Sequence, residues 1–299
     1  MAWSLHTRGV VLVCGAAIVW STGGLMVRHI DESAWTIAFW RGAFAALTLI
    51  AYLLFRDGRN TLASFRNMGL PGLAVAACFG VASLSFIIAL QHASVATILF
   101  IQSASPLVAV ALAWVWLKEA VTWSKAATML AALGGVAIIV SDPEAQSGAK
   151  NDAIGISLSI VIMIAIALAT VLVRRYQHIR MTPATCLSSL WLVVVGTAMG
   201  TPLSPNADEF VLLFLFGTFQ LGLGFILFTT GARLIPAGEA ILLTLLESIL
   251  APIWVWVWPT LHEYPGDRAL IGGALVIAAV IWNTLSEMTQ IKRIAPPVN

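Results

Sequence analysis

Residues 93–119 read ASVATILFIQSASPLVAVALAWVWLKE, and the first charged side chain in this stretch is that of Lys118. The stretch overlaps a longer run, residues 67–117, that contains no Asp, Glu, Lys or Arg. Only 10% of the 299 residues are charged, 60% are hydrophobic, and the mean hydropathy is +0.93. A soluble domain carries about a quarter of its residues as charges. The composition therefore excludes a water-soluble fold, and it excludes disorder as well.

The apolar runs predict an all-α integral membrane protein. A helix needs about 20 apolar residues to cross the hydrocarbon core, and charges together with Gly, Pro or Asn turns divide the chain into ten such runs. None of them shows the short alternating pattern of an outer-membrane barrel. The ten predicted spans cover residues 9–27, 35–55, 70–90, 94–117, 122–140, 154–173, 183–200, 210–231, 237–259 and 269–286.

Basic residues are distributed unequally between the two sides of this bundle. The side that carries the N-terminus holds 12 of the 16 Lys and Arg residues, the opposite side holds three, and Arg41 lies within a span. Basic residues near span ends are retained in the cytoplasm. We therefore predict a multi-pass protein of a bacterial-type inner (plasma) membrane, with both termini cytoplasmic. Nucleic acid is not an expected partner, because the net charge is only +2 and the basic residues are scattered.

The stretch quoted first recurs later in the chain. Residues 237–263 read AGEAILLTLLESILAPIWVWVWPTLHE. Aligned at an offset of 144 residues, the two stretches share Trp114 with Trp258 and Glu119 with Glu263, besides several Ala and Leu positions. The second stretch is therefore a copy of the first.

Five spans separate equivalent points of the two copies. Because five is odd, the copies enter the membrane from opposite sides, so Glu119 is expected at the cytoplasmic surface and Glu263 at the outer one, in structural or gating roles. The sequence predicts two inverted five-helix repeats, residues 1–145 and 146–299. Secondary transporters use such repeats to alternate access around a site near the membrane midplane.

Short motifs in four spans match the pattern of a known family: Trp20-Ser21, Phe39-Trp40-Arg41, Ser105-Pro106 with Leu117-Lys118-Glu119, and Ala251-Pro252 with Leu261-His262-Glu263. With these motifs the chain resembles the drug/metabolite transporter superfamily, specifically its ten-helix EamA-type members. The resemblance implies a central cavity lined by spans 1, 3, 4, 6, 8 and 9. Within the family the chain is most similar to bacterial amino-acid exporters, including those that handle aromatic amino acids.

Two charged side chains lie clearly inside predicted spans, where a charge costs at least ~2.5–3.5 kcal/mol. Glu247 lies ten residues into span 9. It is interpreted either as a cavity carboxylate that contacts a substrate ammonium or carries a proton, or as a hydrogen-bonded side chain that ties two helices together. Arg41 is expected to reach the outer interface or to clamp helix-end carbonyls. The alternative for Arg41 is a counter-charge for a substrate carboxylate.

Two prolines indicate a polar patch near the midplane. A proline inside a helix frees the carbonyl four residues earlier, which here belongs to Gln102 for Pro106 and to Ser248 for Pro252. Ser103 adds a hydroxyl beside the first of these. Irregular backbone at membrane depth is tolerated only against protein or a wet cavity. The pattern therefore favours a substrate site at the repeat interface, and the alternative is a simple packing kink.

Four further residues are substrate-site candidates. Ser83 in span 3 and Gln220 in span 8 could supply neutral hydrogen bonds. Trp20 and Phe219 could form an apolar wall for a substrate side chain.

No metal, cofactor or catalytic centre is expected. Cys14, Cys78 and Cys186 each lie in an apolar stretch without metal-ligand spacing, which is typical of cysteines that act as small hydrophobes. The dipeptide His262-Glu263 lacks the second histidine of a zinc-protease motif, since Gly266 stands at that position. An integral-membrane enzyme would need clustered catalytic groups, so the chain is predicted not to be an enzyme.

The sequence therefore predicts a secondary transporter of a small polar metabolite, and the resemblance indicates an amino acid. The alternative is an efflux carrier for lipophilic or quaternary cations, because a lone membrane-embedded Glu suits a cation. The expected partners are the small-molecule substrate and the lipid bilayer. A self-contained ten-helix body could work as a monomer.

Overall fold

A computed structural model of the protein describes residues 4–118, 123–141, 152–176, 178–199, 204–235, 237–261 and 264–294. Regular structure in these ranges is entirely helical, and no strand occurs within them. The helices in these ranges group into the ten predicted spans, and six helical segments among the described residues are long and apolar enough to cross a membrane. This confirms the all-α membrane fold predicted from the apolar runs.

The first five spans occupy the N-terminal half of the chain. Spans 1 and 4 each consist of two consecutive helices, and a short helical connection, Gly58–Asn60 with Thr61–Asn67, joins spans 2 and 3. In order, spans 1 to 5 are Leu5–Ser21 with Gly23–Arg28, Ala34–Asp57, Gly69–Leu90, Val95–Gln102 with Ser105–Leu117, and Trp123–Val140.

The other five spans follow in the C-terminal half. Span 8 is continuous, but its middle section, Phe216–Leu223, is a π-helix. In order, spans 6 to 10 are Asp152–Arg175, Thr182–Ala198, Ala207–Gly231, Ala237–Val257 and Asp267–Ile294.

Three of the spans begin with a serine N-cap. Ser4, Ser33 and Ser94 precede spans 1, 2 and 4, and each hydroxyl accepts a hydrogen bond at 3.1 Å from the backbone N–H three residues later. The first N–H groups of a helix lack helical partners, and a serine at this position satisfies one of them. These serines fix where three of the apolar runs become helices.

The contacts between spans show a pseudo-two-fold symmetry that relates the first five spans to the last five. Span 1 packs on spans 8 and 9 as span 6 packs on spans 3 and 4, and span 2 packs on span 8 as span 7 packs on span 3. Spans 2 and 7 pair with each other, as do spans 5 and 10. Counterparts are five spans apart and therefore cross the membrane in opposite directions. The fold consists of two inverted five-helix repeats.

Spans 5 and 10 cross at two glycines. A Cβ atom added to Gly272 would lie 2.5 Å from the carbonyl oxygen of Gly135, and one added to Gly135 would lie 2.7 Å from that of Gly272. Small residues at such crossings let helices approach closely in lipid. Span 7 approaches span 2 in the same way, since a Cβ on Gly196 would lie 2.8 Å from the carbonyl oxygen of Trp35.

The two prolines occupy different backbone settings. Span 4 stops at Gln102, turns, and starts again at Ser105, so Pro106 lies in the first turn of a new helix. A proline there removes an N–H that has no helical partner in any case. The prediction of a proline inside a continuous helix is therefore wrong for Pro106. It is confirmed for Pro252, which lies inside Ala237–Val257.

We expect Gly272→Ala to destabilise the protein, because the added methyl group must push spans 5 and 10 apart. Overpacking of this kind costs about 1–3 kcal/mol, which should lower the thermal unfolding midpoint of the purified protein in detergent. Gly134→Ala is the matched control, since no described atom lies within 4 Å of its added Cβ. Equal midpoints for the two variants would contradict the close crossing.

Glu119 and Glu263 lie outside the described residues, so their placement on opposite surfaces stays a prediction. We expect Glu119→Cys and Glu263→Cys, each in a background without the three native cysteines, to react with an impermeant thiol reagent from opposite membrane faces. Inside-out and right-side-out vesicles provide the two faces. Labelling of both positions from one face would be incompatible with the inverted arrangement.

Candidate functional site

Arg41 is a buried cation within span 2. Its side chain is 3% exposed, and it lies seven residues from the start of the helix at Ala34, about 10 Å along the axis. Its Nη1 donates to Ser83 Oγ at 2.6 Å and its Nη2 donates to Gln220 Oε1 at 2.9 Å. Arg41 therefore does not extend to the interface, and these two bonds go to side chains rather than to helix-end carbonyls. It connects span 2 with spans 3 and 8.

Aromatic rings cover the guanidinium group of Arg41. Its Cζ lies 4.4 Å from the ring centroid of Phe216 and 6.0 Å from that of Phe86, a geometry in which the ring faces attract a cation. The Nε donor of Arg41 is buried and has no hydrogen-bond partner among the described residues. Leaving a buried donor unpaired costs about 1–3 kcal/mol. Arg41 thus keeps one donor free for another acceptor.

Gln220 extends this network to span 1. The side chain is 4% exposed, and its Nε2 donates to the carbonyl oxygen of Trp20 at 3.2 Å. Gln220 lies in the π-helix Phe216–Leu223, a helix form that occurs often at functional sites. Gly23 makes room for the amide, because a Cβ there would lie 2.8 Å from Gln220 Nε2.

Glu247 faces this network from span 9. Its side chain is half-buried, and it interacts electrostatically with Arg41. No Arg41 nitrogen lies within the 4.0 Å of a Glu247 oxygen that a salt bridge requires. Trp254, two helical turns further along span 9, donates its Nε1–H to Ser21 Oγ at 2.9 Å. This bond connects span 9 to span 1 beside the network.

The structure brings together four of the sequence-predicted residues, all around Arg41. We call Arg41, Ser83, Gln220 and Glu247 the polar cluster. Trp20 adjoins it through its carbonyl group. Span 2 was not expected to line the site, so the position of Arg41 in the cluster is a result of the fold.

The candidates of span 4 do not join the polar cluster through any described hydrogen bond. Ser103 is buried and donates locally, to the carbonyl oxygen of Phe100 at 2.7 Å. Gln102 and Pro106 are half-buried beside it. On span 9, Ser248 and Pro252 are buried close to Glu247 in sequence.

The two aromatic candidates differ in their surroundings. The indole of Trp20 packs against the rings of Phe225 and Phe228, with centroid separations of 5.8 and 5.3 Å. Gly224 lies against the same indole, since there is no space for a Cβ atom there. Phe219 is 46% exposed and makes no described ring contact with this group. Of these two aromatic candidates, Trp20 is therefore the one that adjoins the polar cluster.

Two residues of this region were missed by sequence reasoning. The bond of Trp254 to Ser21 joins positions 233 residues apart, and nothing local marks either as a partner. Nothing in the sequence distinguishes Gly23 from the other glycines. Its role in making room for the Gln220 amide is evident only from the structure. The Trp20-Ser21 dipeptide was the one available signal, as part of the family resemblance.

Charged groups lie at both ends of span 2, and a salt bridge holds one of them. Asp57 forms a salt bridge with Arg180 at 3.1 Å, which joins the end of span 2 to the loop before span 7. Just before the other end of span 2, burial raises the pKa of the Glu32 carboxyl, and the nearby charge of Glu209 raises that pKa further. Glu209 belongs to the first turn of span 8. The Asp57–Arg180 salt bridge fixes the Asp57 end of span 2 against the loop that leads into span 7.

No group of three or more His, Cys, Asp or Glu side chains within the described part of the chain could hold a metal ion. Cys14, Cys78 and Cys186 form no disulfide bond with one another, and Cys186 is buried. The polar cluster presents hydroxyl, amide, guanidinium and carboxylate groups.

The sequence profile of the EamA-like transporter family matches the chain twice, at residues 7–141 and 153–285. The chain belongs to the EamA-like transporter family. No curated protein matches the sequence. A solved crystal structure of a protein superposes with a TM-score of 0.64, covering 95% of this chain and 99% of that chain at 14% identity. Similarity at that level of identity shows a shared fold.

As an EamA-like transporter, the protein is a multi-pass membrane transporter of small molecules. Each of the two matched segments contains one five-helix repeat. Arg41 and Ser83 come from the first repeat, and Gln220 and Glu247 from the second. The polar cluster of this EamA-like transporter therefore lies where its two repeats meet.

We expect Ser83→Ala to destabilise the protein by about 1–3 kcal/mol, because the buried Arg41 Nη1 loses its acceptor. The measurement is the unfolding midpoint in detergent. Ser85→Ala is the matched control, since Ser85 is a buried serine of the same span with no described hydrogen bond to Arg41. If the unfolding midpoint falls equally in both variants, the Arg41–Ser83 hydrogen bond makes no specific contribution to stability.

Proposed function

We propose that this EamA-like transporter exports amino acids, neutral or aromatic, across a bacterial-type inner membrane by alternating access. The observation that supports this most is the polar cluster, which places hydroxyl, amide and charged groups at the repeat interface of an otherwise apolar bundle. A polar solute must exchange its hydration for such groups before it can cross. Apolar surface beside the cluster, including the Trp20 indole, suits a substrate side chain.

The interruptions of the helices support movement around this site. Span 4 is broken at residues 103–104, span 8 contains a π-helix, and span 9 contains Pro252. Broken or bent spans near the midplane are typical of secondary transporters built from inverted repeats. Rocking of one repeat against the other would open the polar cluster to each side in turn.

The remaining parts of the proposal concern setting and assembly. The excess of basic residues on the side of the N-terminus supports cytoplasmic termini. The polar cluster is built from one chain, so a monomer can carry out the whole cycle. We place the division between the repeats at residue 145, and the gap between the segments matched by the family profile, residues 7–141 and 153–285, supports this position.

A second candidate function is efflux of lipophilic cations. It is favoured by Glu247, a half-buried carboxylate in span 9 that has no hydrogen bond to a described residue. Such a group can attract a cationic substrate and exchange it for a proton.

Uptake into proteoliposomes tests the proposed function. We expect purified protein to move labelled phenylalanine, methionine and threonine well above the level of protein-free liposomes, because the polar cluster can replace the hydration of a zwitterion. Tetraphenylphosphonium serves as the cation probe in the same vesicles. Movement of the cation without movement of any amino acid would overturn the amino-acid proposal in favour of cation efflux.

A proton gradient imposed on the same vesicles tests coupling. If Glu247 carries the proton, Glu247→Gln should abolish the stimulation of uptake by the gradient. Stimulation that persists in this variant would exclude that role for Glu247.

A further inference from the structure

We infer that Arg41 and Glu247 bind the two ends of one zwitterionic substrate, with its carboxylate on Arg41 and its ammonium group on Glu247. This inference rests on the proposed function and specifies how the site recognises its substrate. It assigns a substrate-binding role to span 2, and it requires a substrate that carries both a carboxylate and an ammonium group.

The two protein charges interact electrostatically without forming an ion pair. Arg41 belongs to the first repeat and Glu247 to the second, and they interact electrostatically although no nitrogen–oxygen pair reaches the 4.0 Å of a salt bridge. Opposite charges attract far more strongly in a protein interior than in water. A pair that served only to join the helices would close to contact. Because they are not in contact, both charges can interact with a molecule that carries the complementary charges.

Arg41 is held in position by neutral groups. Ser83 Oγ and Gln220 Oε1 accept its two Nη donors, so the guanidinium group is fixed while no described carboxylate forms an ion pair with it. The Nε donor is buried and unpartnered among the described residues. A guanidinium group in this state is prepared for a carboxylate, with which it forms strong charge-assisted hydrogen bonds.

Glu247 complements Arg41 from the opposite repeat. It is half-buried, and its carboxylate makes no hydrogen bond to a described residue. An isolated carboxylate at this depth is costly, and an ammonium group would satisfy it. Both charged groups therefore lack the partners that a zwitterion supplies.

The pair also discriminates against substrates with a single charge. A cation that approaches Glu247 is repelled by the nearby Arg41, and an anion that approaches Arg41 is repelled by Glu247. Like-charge juxtaposition suppresses the binding of wrong ligands. A zwitterion satisfies both groups, so the arrangement favours amino acids over simple amines or acids of the same shape.

Three probes that share a side chain test this inference in proteoliposomes. Phenylalanine carries both charges, phenethylamine lacks the carboxylate, and 3-phenylpropionate lacks the ammonium group. We expect each singly charged analogue to compete with labelled phenylalanine at least about tenfold more weakly than unlabelled phenylalanine does, because each leaves one buried charge unpaired. Equal competition by phenethylamine and phenylalanine would overturn the inference.

Variants then assign each charge to one end of the substrate. Glu247→Gln should weaken the competition of unlabelled phenylalanine with the labelled substrate. It should also reduce, by about tenfold, the factor by which phenylalanine competes more strongly than 3-phenylpropionate, because the repulsion between the acid and Glu247 is removed. Arg41→Gln should instead reduce the factor by which phenylalanine competes more strongly than phenethylamine. Arg41→Lys keeps the cation and should keep the order of the three probes, which tests the charge even if Arg41→Gln does not fold. A probe order unchanged in Glu247→Gln would contradict the assignment of the ammonium group.

Ser85→Ala is the matched control, because Ser85 is not part of the polar cluster, and its probe order should equal that of the unaltered protein. The results separate this inference from the proposed function. If phenylalanine moves but the charge variants leave the probe order unchanged, amino-acid transport stands and the recognition by Arg41 and Glu247 is wrong. If phenylalanine does not move at all, the proposed function itself fails.

Discussion

A membrane interior offers no hydrogen bonds, so every polar group placed there must find its partner within the protein. Arg41 is the strongest case, because a buried cation is among the most expensive groups in hydrocarbon. Its bonds to Ser83 and Gln220 draw spans 2, 3 and 8 together, and Gln220 adds span 1 through the Trp20 carbonyl group. One charge therefore determines how four helices meet at the centre of the bundle.

The scaffold is nearly symmetric, whereas the site is not. The pseudo-two-fold symmetry of the spans accounts for the main helix contacts, and it follows from two copies inserted in opposite directions. The polar cluster has no such counterpart, since Arg41 and Glu247 lie on spans that are not equivalent. The two prolines differ as well: Pro106 begins a helix, while Pro252 lies within one. Symmetry can provide two related access states, and the asymmetric residues can specify what is bound between them.

The ten spans were predictable because lipid thickness fixes the length of an apolar run. Arg41 and Gln220 were each recognisable as polar residues inside spans, but their bond joins positions 179 residues apart, and hydropathy carries no information on which helices become neighbours. The setting of Pro106 could not be predicted either, because the same residue type suits a helix start and a helix kink. Likewise, the repeat offset pairs Gly272 with a threonine, whereas the structure packs it against Gly135.

The neutral character of the Arg41 partners has a consequence for any substrate. Had Ser83 or Gln220 been a carboxylate, the pair would be electrically neutral, and its attraction for a further charge would be small. Serine and glutamine fix the guanidinium group equally well by hydrogen bonds but leave its positive charge uncompensated at contact distance. Glu247, held on another span, balances that charge from farther away. The two opposite charges are thereby kept apart, which is the arrangement that the proposed recognition of a dipolar molecule uses.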